Sequence, residues 1–207
     1  MMTLRFAEEE NISVEQRKQS LRTYMKERRA NNENRDVKEK LMIENLLSVL
    51  VSLQGQRTGA GVKRNVLVYL SFSSEAPTDG LIERLQETGY TVFCPRMENG
   101  AIFPVLYGED CTLSAYGIRE PVGEAFEGQM DFCVTPFLAV DGQGNRLGYG
   151  GGYYDKYFRE NPNVLRIAYG FDFQVLHGVP TSATDEKINC IVTDKRVLYT
   201  GERTDER

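Results

Sequence analysis

The chain has 207 residues, of which 41% are hydrophobic and 27% charged, and its formal net charge is −5. This length and composition are typical of one globular domain, and the negative balance argues against nucleic acid or an anionic membrane as the main partner. No apolar run reaches the roughly 18 residues of a membrane span. The beginning, MMTLRFAEEENIS, is acidic and lacks the apolar core of a signal peptide. We therefore expect a cytoplasmic protein.

The chain offers few ligands for a structural zinc site. The cysteines Cys94, Cys111, Cys133 and Cys190 form no CxxC pair, and we interpret them as reduced residues, mostly of the core. The single histidine, His177, excludes a His-rich metal site and lies in QVLHGVP, which predicts a turn with a surface or hydrogen-bonded histidine.

Two helices are predicted first, after an expected flexible tail at residues 1–12. SVEQ at Ser13–Gln16 has the spacing of a capping box and begins a polar helix that runs to about Ala30. NENRDVKEKLMIENLLSVLVSL predicts a second helix, which GQRTGAG ends. Its predicted apolar stripe consists of Val37, Leu41, Leu46, Val49 and Leu53.

Apolar strands and helices alternate from there on. The predicted strands are 65–72, 91–95, 101–107, 131–136, 164–171 and 187–194. Helices are predicted from Thr78 and from about Tyr153, Pro104 indicates an edge strand, and 201–207 is expected to be a second tail. The pattern predicts an α/β fold: one domain over residues 13–200, with a mostly parallel, Rossmann-like three-layer sheet flanked by helices and the N-terminal helices packed on it.

The stretch NRLGYGGGYYDKYF, Asn145–Phe158, has four glycines in five residues between a strand and a predicted helix. A helix N-terminus with unhindered backbone N–H groups favours phosphate, and Arg146 and Lys156 could pair with its oxygens. Asp155, in the first helical turn, is suited to Mg²⁺ beside a polyphosphate. The alternative is a glycine-rich turn packed against Tyr149, Tyr153 and Tyr154.

Common nucleotide-binding motifs do not match this stretch. G-x-x-x-x-G-K-[ST] is absent, and G-x-G-x-x-G fails because Tyr153 stands at the last glycine position. A Walker loop and a standard Rossmann fingerprint are therefore excluded.

The segment DFCVTPFLAVDGQGNRLGYGGGYYDKYF closely resembles the signature of the 5-formyltetrahydrofolate cyclo-ligase family. Further matches follow the family's order: KQSLR at 18–22, YLSFSSEAPTDGLIERL at 69–85, GIREP at 117–121 and VPTSATDEKINCIVTD at 179–194. The resemblance extends from about residue 16 to about residue 196. It implies a ligase that uses ATP and Mg²⁺ to convert 5-formyltetrahydrofolate to 5,10-methenyltetrahydrofolate, giving ADP and phosphate. We expect a monomer. The implied route is phosphorylation of the formyl oxygen and attack by N10.

The resemblance also implies roles for single residues. It implies ATP contacts by Lys18, Arg22, Arg146, Leu147, Gly148, Tyr149, Gly150, Gly151, Gly152, Tyr153 and Tyr154, with Lys18 and Arg146 catalytic. It implies substrate contacts by Leu70, Glu75, Tyr149, Gly150, Gly151, Gly152 and Tyr153. It implies Mg²⁺ ligands in Asp155 and Asp185. Tyr107 and Phe137 are aromatic candidates for stacking on the pterin.

Taken without the resemblance, three of these residues have a plainer interpretation. Lys18 and Arg22 share a helix face at i and i+4, but Arg17, Lys26, Arg28 and Arg29 lie close, which favours a solvated basic face. Glu75 follows a predicted strand, where open α/β sheets bind ligands, yet a solvated loop carboxylate is equally consistent.

The chain departs from the family pattern P-G-L-A-F-D, since PFLAVD has Phe137 for Gly and Val140 for Phe. Phe137 could alter substrate fit or fill the space left by the smaller Val140. Two alternative functions therefore stay open: an ATP-dependent enzyme for another N-formyl substrate, and a non-catalytic folate- or nucleotide-binding regulator.

Overall fold

The computed structural model describes residues 12–54, 64–108, 110–114 and 117–200. The predicted tails, apart from residue 12, and the GQRTGAG segment at 55–61 lie outside the described residues. The helices of the described ranges are α1 (Val14–Ala30), α2 (Arg35–Gln54), α3 (Asp79–Glu87) and α4 (Tyr153–Glu160), with a short 3-10 helix at Asp172–Gln174. Their strands are β1 (Arg64–Val68), β2 (Tyr90–Glu98), β3 (Ala101–Leu106), β4 (Cys111–Leu113), β5 (Arg119–Pro121), β6 (Phe132–Thr135), β7 (Ala139–Asp141), β8 (Arg146–Leu147), β9 (Leu165–Tyr169), β10 (Val175–Leu176), β11 (Cys190–Val192) and β12 (Val197–Tyr199). None of the helices in these ranges has the length and apolar character needed to cross a bilayer.

The main sheet has seven strands in the order β12-β11-β9-β6-β1-β2-β3. The inner pairs are parallel, and only the outermost pairs, β11–β12 and β2–β3, are antiparallel. The chain builds outward from β1 through β2 to one edge and then from β6 through β9 to the other. The parallel inner pairs confirm the predicted mostly parallel α/β sheet. The right-handed rule for such crossovers assigns α3 and α4 to opposite faces. The strand order reverses between β1 and β6, and open sheets of this kind bind ligands at the carboxyl ends of such strands.

The centre of the sheet is buried on both faces. Val66, Leu67 and Val68 in β1 are all 0% exposed, as the continuous apolar run predicts. The predicted strand 65–72 ends earlier, at Val68, because Tyr69 and the residues after it leave the sheet to form a loop above its carboxyl edge.

Helix α1 begins as its capping box predicts. The Gln16 backbone N–H donates to Ser13 Oγ at 3.2 Å, and the Ser13 N–H donates to Gln16 Oε1 at 2.9 Å. The helix then docks through Met25, which packs with Leu138, Ala139, Leu147 and Val179 in a small second core. This core fixes α1 against β7 and β8, the hairpin that leads into the glycine-rich stretch.

The predicted apolar stripe of α2 is wrong in its first half. Val37 and Leu41 are 61% and 43% exposed, whereas the fully buried residues are Met42, Leu46, Val49 and Leu50. The step from Leu41 to Leu46 spans five residues, about 140° out of phase with a helical stripe, and stepping back from Leu46 by one turn leads to Met42.

Several single-residue predictions can be compared with the structure. Pro104 lies in β3, the edge strand, as predicted. Thr78 is the residue before α3, as predicted, but its Oγ1 accepts from the Ser71 N–H at 3.0 Å instead of capping the helix. Six short strands were not predicted: β4, β5, β7, β8, β10 and β12. All four cysteines are free, in agreement with the sequence interpretation, and His177 is exposed.

Candidate active site

The candidate site lies at the carboxyl ends of β1 and β6, where the strand order reverses. The loop after β1 brings Leu70 and Glu75 to this edge, and both side chains are buried, at 4% and 7% exposed. The segment after β6 leads through β7 and β8 to the glycine loop, which we define as residues 146–154. Helix α1 crosses beside it and supplies side chains from the other end of the sequence.

Lys18 and Arg22 are not part of a solvated basic face. They are 5% and 8% exposed, and they lie on the docked stripe of α1 with Met25. Lys18 Nζ donates to Asp185 Oδ2 at 2.5 Å and to Ser182 Oγ at 2.8 Å. The plainer interpretation is therefore wrong for both residues, and Lys18 and Asp185 are in contact although 167 positions separate them.

Arg22 touches the glycine loop directly. Its Nε donates to the Gly148 carbonyl at 3.1 Å, and its Nη1 pairs with Glu15 at 2.8 Å. A Cβ on Gly150 would lie 3.2 Å from the Arg22 guanidinium carbon, and Gly150 has φ +104°. Gly150 thus serves two needs, a backbone conformation that L side chains rarely adopt and room for a buried cation.

Arg146 enters the same loop from the other side. A Cβ on Gly148 would lie 2.7 Å from Arg146 Nη1, so this glycine also makes room for a guanidinium. Arg146 is 7% exposed, donates to Asp155 Oδ2 and to the Pro136 carbonyl, both at 3.3 Å, and lies over the Tyr154 ring. Its Nε and the Tyr154 hydroxyl are buried without a hydrogen-bond partner among the described residues. Buried polar atoms without partners are costly.

The remaining loop residues differ in what they present to the loop. Leu147 is 2% exposed and packs in the second core, so only its backbone faces the loop. Gly152, with φ +68°, precedes α4 and makes no side-chain cap, which leaves the first N–H groups of the helix directed at the loop. Tyr153 is half-buried, and its ring lies 2.7 Å from where a Gly151 Cβ would be.

Asp155 and Asp185 lie on neighbouring segments, since the Glu186 backbone N–H donates to Asp155 Oδ1 at 3.1 Å. Burial alone would raise the pKa of Asp185, but hydrogen bonds from Lys18 and from Ser182 lower that pKa below its ordinary value. Within the described residues no cluster of three or more His, Cys, Asp or Glu side chains could hold a metal. Two carboxylates suit Mg²⁺, which retains waters and takes phosphate oxygens, and do not form a closed protein cage.

Glu75 is surrounded by groups that the sequence did not connect to it. Burial raises the pKa of its carboxyl, opposed by a hydrogen bond from the Phe72 N–H, by the charge of Arg29 and by a hydrogen bond from Tyr149. The Phe72 N–H donates to Glu75 Oε2 at 2.8 Å. The plainer interpretation of Glu75 as a solvated loop carboxylate is therefore wrong.

Arg29 is the residue that sequence reasoning missed. It was grouped with the exposed Arg17, Lys26 and Arg28, yet it is 2% exposed. The available signal was spacing, because residues 18, 22, 25 and 29 follow the four-three-four pattern of one helix stripe.

Phe137 does not present an open ring face. It is 2% exposed, and its ring carbons lie 2.8 Å from where a Cβ of Gly170 would be, so the ring fills space that Gly170 leaves. The suggestion that Phe137 stacks on a pterin does not agree with this burial. Tyr107 is half-buried and follows β3.

An open cavity of about 580 Å³ lies elsewhere, at the turn between α1 and α2, where Arg28, Lys38 and Phe173 line it. None of the predicted site residues lines this cavity. The convergence of buried cations on the glycine loop is the stronger indication of a ligand site, because Arg22 and Arg146 place positive charge beside unhindered backbone N–H groups.

The chain was compared with known families and relatives. The model of the 5-formyltetrahydrofolate cyclo-ligase family matches residues 14–194. The 5-formyltetrahydrofolate cyclo-ligase of Escherichia coli strain K12 is 28% identical over 143 residues, which cover 64% of this chain and 79% of the relative. The mouse, Mus musculus, enzyme of that name is 25% identical over 197 residues, covering 86% and 94%.

Two solved structures are similar to the whole fold. The NMR structure of 5,10-methenyltetrahydrofolate synthetase from Aquifex aeolicus matches with a TM-score of 0.73 and 26% identity, covering 92% of this chain and 99% of that one. A 5,10-methenyltetrahydrofolate synthetase from Mycoplasma pneumoniae matches with a TM-score of 0.64 and 16% identity, covering 86% and 99%, which bears on the fold alone.

Proposed function

Since the chain belongs to the 5-formyltetrahydrofolate cyclo-ligase family, we propose that it is a ligase that converts 5-formyltetrahydrofolate to 5,10-methenyltetrahydrofolate. The reaction consumes ATP in the presence of Mg²⁺ and releases ADP and phosphate. The observation that carries the proposal is that two buried cations, Arg22 and Arg146, lie against one glycine loop, with buried Lys18 one turn before Arg22 on α1 and paired with Asp185.

The glycine loop and α1 bind the triphosphate. Lys18, Arg22 and Arg146 neutralise its charge, and the backbone N–H groups at the start of α4 donate to its oxygens. Gly148 and Gly150, where a Cβ would crowd Arg146 and Arg22, support this assignment, since they let both guanidinium groups lie against the loop backbone. Bound ATP therefore replaces some of the contacts that the cations make with Asp155 and Asp185.

Asp155 and Asp185 hold Mg²⁺, and the ion supplies charge neutralisation on the phosphates when it is bound. The two carboxylates fit such an ion because Lys18 and Arg146 hold them close to the loop.

Glu75 accepts hydrogen bonds from the pterin side of the substrate, as an ionised carboxylate does, and Leu70 lines the same subsite. The residues that lie between the two ligands are Tyr149, Gly150, Gly151, Gly152 and Tyr153. The formyl oxygen is thereby held against the terminal phosphate of ATP, and positioning of this kind supplies much of the catalysis in phosphoryl transfer.

The chemistry proceeds in two steps. The formyl oxygen attacks the γ-phosphorus, its new O–P bond forms, and the bond to ADP breaks, with Lys18 and Arg146 stabilising the charge. N10 then attacks the activated formyl carbon, its lone pair forms the new C–N bond, and the C–O bond breaks to release phosphate. The N10 proton leaves with the phosphate, and the product is the methenyl cation.

The enzyme is proposed to be a cytoplasmic monomer without a nucleic-acid or membrane partner. A different N-formyl substrate was suggested by Phe137, but that ring is buried against Gly170. No structural observation therefore favours this alternative over the proposed reaction.

The test is absorbance at the ultraviolet band of methenyltetrahydrofolate, with purified protein, 5-formyltetrahydrofolate and Mg-ATP. We expect absorbance to rise only when ATP is present, with ADP formed in equal amount, and to stop when a chelator removes Mg²⁺. A flat trace from protein that still binds ATP would contradict the proposed substrate.

A further inference from the structure

Arg29 is a buried cation that the proposed chemistry does not use. It lies in the last turn of α1 and is 2% exposed. Its Nε donates to Ser74 Oγ at 3.1 Å, its Nη1 to the Phe137 carbonyl at 3.4 Å, and its Nη2 to the Tyr149 hydroxyl. One guanidinium thus joins the loop after β1, the segment after β6 and the glycine loop.

The Arg29 guanidinium affects Glu75 in two ways, directly through its charge and indirectly through Tyr149. The Tyr149 hydroxyl, which accepts from Arg29, and the Arg29 charge both lower the pKa of the Glu75 carboxyl and so offset part of the cost of burying its charged form. The Tyr149 ring lies 5.4 Å from the Arg29 guanidinium carbon. Arg35 holds the backbone of the loop after β1, since it donates to the carbonyls of Ser74 at 3.0 Å and Glu75 at 2.5 Å.

Packing alone does not require a cation at this position. Met25, one turn earlier on the same stripe, docks α1 through apolar contacts only. A buried charge costs stability unless it is well paired, and an apolar residue of similar volume often serves packing equally well or better. The charge at position 29 is therefore better explained by what it holds than by the stability of the helix contact.

We propose that Arg29 is a positioning residue for the formylated substrate: it holds Glu75 and Tyr149 in the arrangement that receives the pterin side of 5-formyltetrahydrofolate beside the glycine loop. This inference rests on the proposed function. Tyr149 then links the folate and ATP subsites, because its backbone belongs to the glycine loop and its hydroxyl accepts from Arg29, the cation that faces Glu75.

The charge state of Glu75 gives the inference a second readout. The charged and titratable groups that face Glu75 come from five elements or loops: Arg29, Arg35, Tyr69, Tyr149 and Tyr154. Burial raises the pKa of Glu75 and Arg29 opposes that rise, so removing the Arg29 charge raises the pKa further. Substrate binding that requires the ionised Glu75 carboxylate is then lost at a higher pH as the solution is acidified.

The experiment compares Arg29→Met, Arg29→Lys and the control Arg28→Met in steady-state turnover with 5-formyltetrahydrofolate and ATP. Arg28 is the exposed neighbour of Arg29 and lies over Phe173, away from Glu75. For Arg29→Met we expect KM for 5-formyltetrahydrofolate to rise about tenfold or more, as for the loss of a hydrogen bond to a charged group, with a smaller change in KM for ATP. The acid limb of kcat/KM for the folate moves to higher pH.

Arg29→Lys keeps the positive charge but changes the geometry of the donors, so it separates the two contributions. It also provides a second variant in case Arg29→Met does not fold. It restores the acid limb because the charge is retained, but KM for the folate stays elevated because Lys lacks the planar fork that reaches three segments. Arg28→Met keeps wild-type values. Tyr149→Phe raises KM in the same direction, and its effect is not additive with that of Arg29→Lys.

Wild-type turnover with unchanged folate KM and pH profile in both Arg29 variants would overturn the inference alone. Equal rises in both KM values would also overturn it, since a structural defect affects both ligands. Wild-type protein that neither turns over nor binds 5-formyltetrahydrofolate in calorimetry would overturn the proposed function and the inference together.

Discussion

Replacing Gly150 by alanine tests whether the glycine loop is built around Arg22. Gly150 has φ +104°, and its Cβ would lie 3.2 to 3.4 Å from three atoms of the Arg22 guanidinium. The added methyl group therefore strains the backbone and pushes Arg22 away from the Gly148 carbonyl, to which its Nε donates at 3.1 Å.

Two costs of different kind are expected. A non-glycine residue in such a backbone region costs about 1–3 kcal/mol of folding free energy. Displacing Arg22 removes a hydrogen bond of a charged donor, worth about 1.5–3 kcal/mol, and misplaces a cation assigned to the triphosphate. A phosphate contact of the displaced cation is worth a similar amount, which corresponds to a loss of about tenfold or more in ATP affinity.

Matched glycine variants separate the two costs. Gly152→Ala has a strained φ of +68° but nothing within 4 Å of its Cβ, and Gly142→Ala has neither strain nor a neighbour. Chemical unfolding should show Gly150→Ala and Gly152→Ala destabilised and Gly142→Ala unchanged. Equilibrium dialysis with ATP should show the largest affinity loss in Gly150→Ala. Wild-type ATP affinity in a folded Gly150→Ala protein would refute the assignment of Arg22 and of the space beside it.

Three further predictions concern single side chains. Asp155→Asn should lower Mg-ATP-dependent turnover about a hundredfold while the circular dichroism spectrum is unchanged, because the metal's charge stabilisation is worth several kcal/mol; wild-type turnover would remove Asp155 from the metal site. Because folding raises the pKa of Glu75 above its ordinary value of 4.5, the stability of the wild-type protein falls as the pH rises from 4.5 through the folded-state pKa. Glu75→Gln should lack this fall when denaturation is measured across that pH range. An identical pH profile in the variant would contradict this prediction. Phe137→Leu should lower the free energy of unfolding by about 1–2 kcal/mol without changing KM for 5-formyltetrahydrofolate, and a changed KM would show that the ring shapes the substrate subsite.

Local patterns predicted most of the fold because their causes are local. The capping box at Ser13–Gln16 depends on residues three apart, and the apolar run through Val66–Val68 reflects burial on both faces of a parallel strand. Position 104 was assigned to an edge because proline cannot donate to a central ladder. The stripe of α2 failed because Val37 and Leu41 are out of phase with Leu46, an error that a count of helical angle would have prevented.

The site could be predicted less completely, since its contacts join distant parts of the chain. Lys18 and Asp185 were connected only by resemblance, because no local spacing relates positions 167 apart. The glycines were attributed to phosphate approach, and the structure adds that Gly148 and Gly150 leave room for Arg146 and Arg22. Arg29 was missed because its burial depends on how α1 docks.

The fate of the formyl oxygen tests the central claim most directly. 5-Formyltetrahydrofolate labelled with oxygen-18 in the formyl group would be converted with unlabelled Mg-ATP in unlabelled water, and the phosphate would be analysed by mass spectrometry. Phosphorylation of the formyl oxygen followed by attack of N10 predicts one labelled oxygen in each phosphate released. Unlabelled phosphate formed together with methenyltetrahydrofolate would contradict the account, because ATP would then be cleaved by water and not by the substrate.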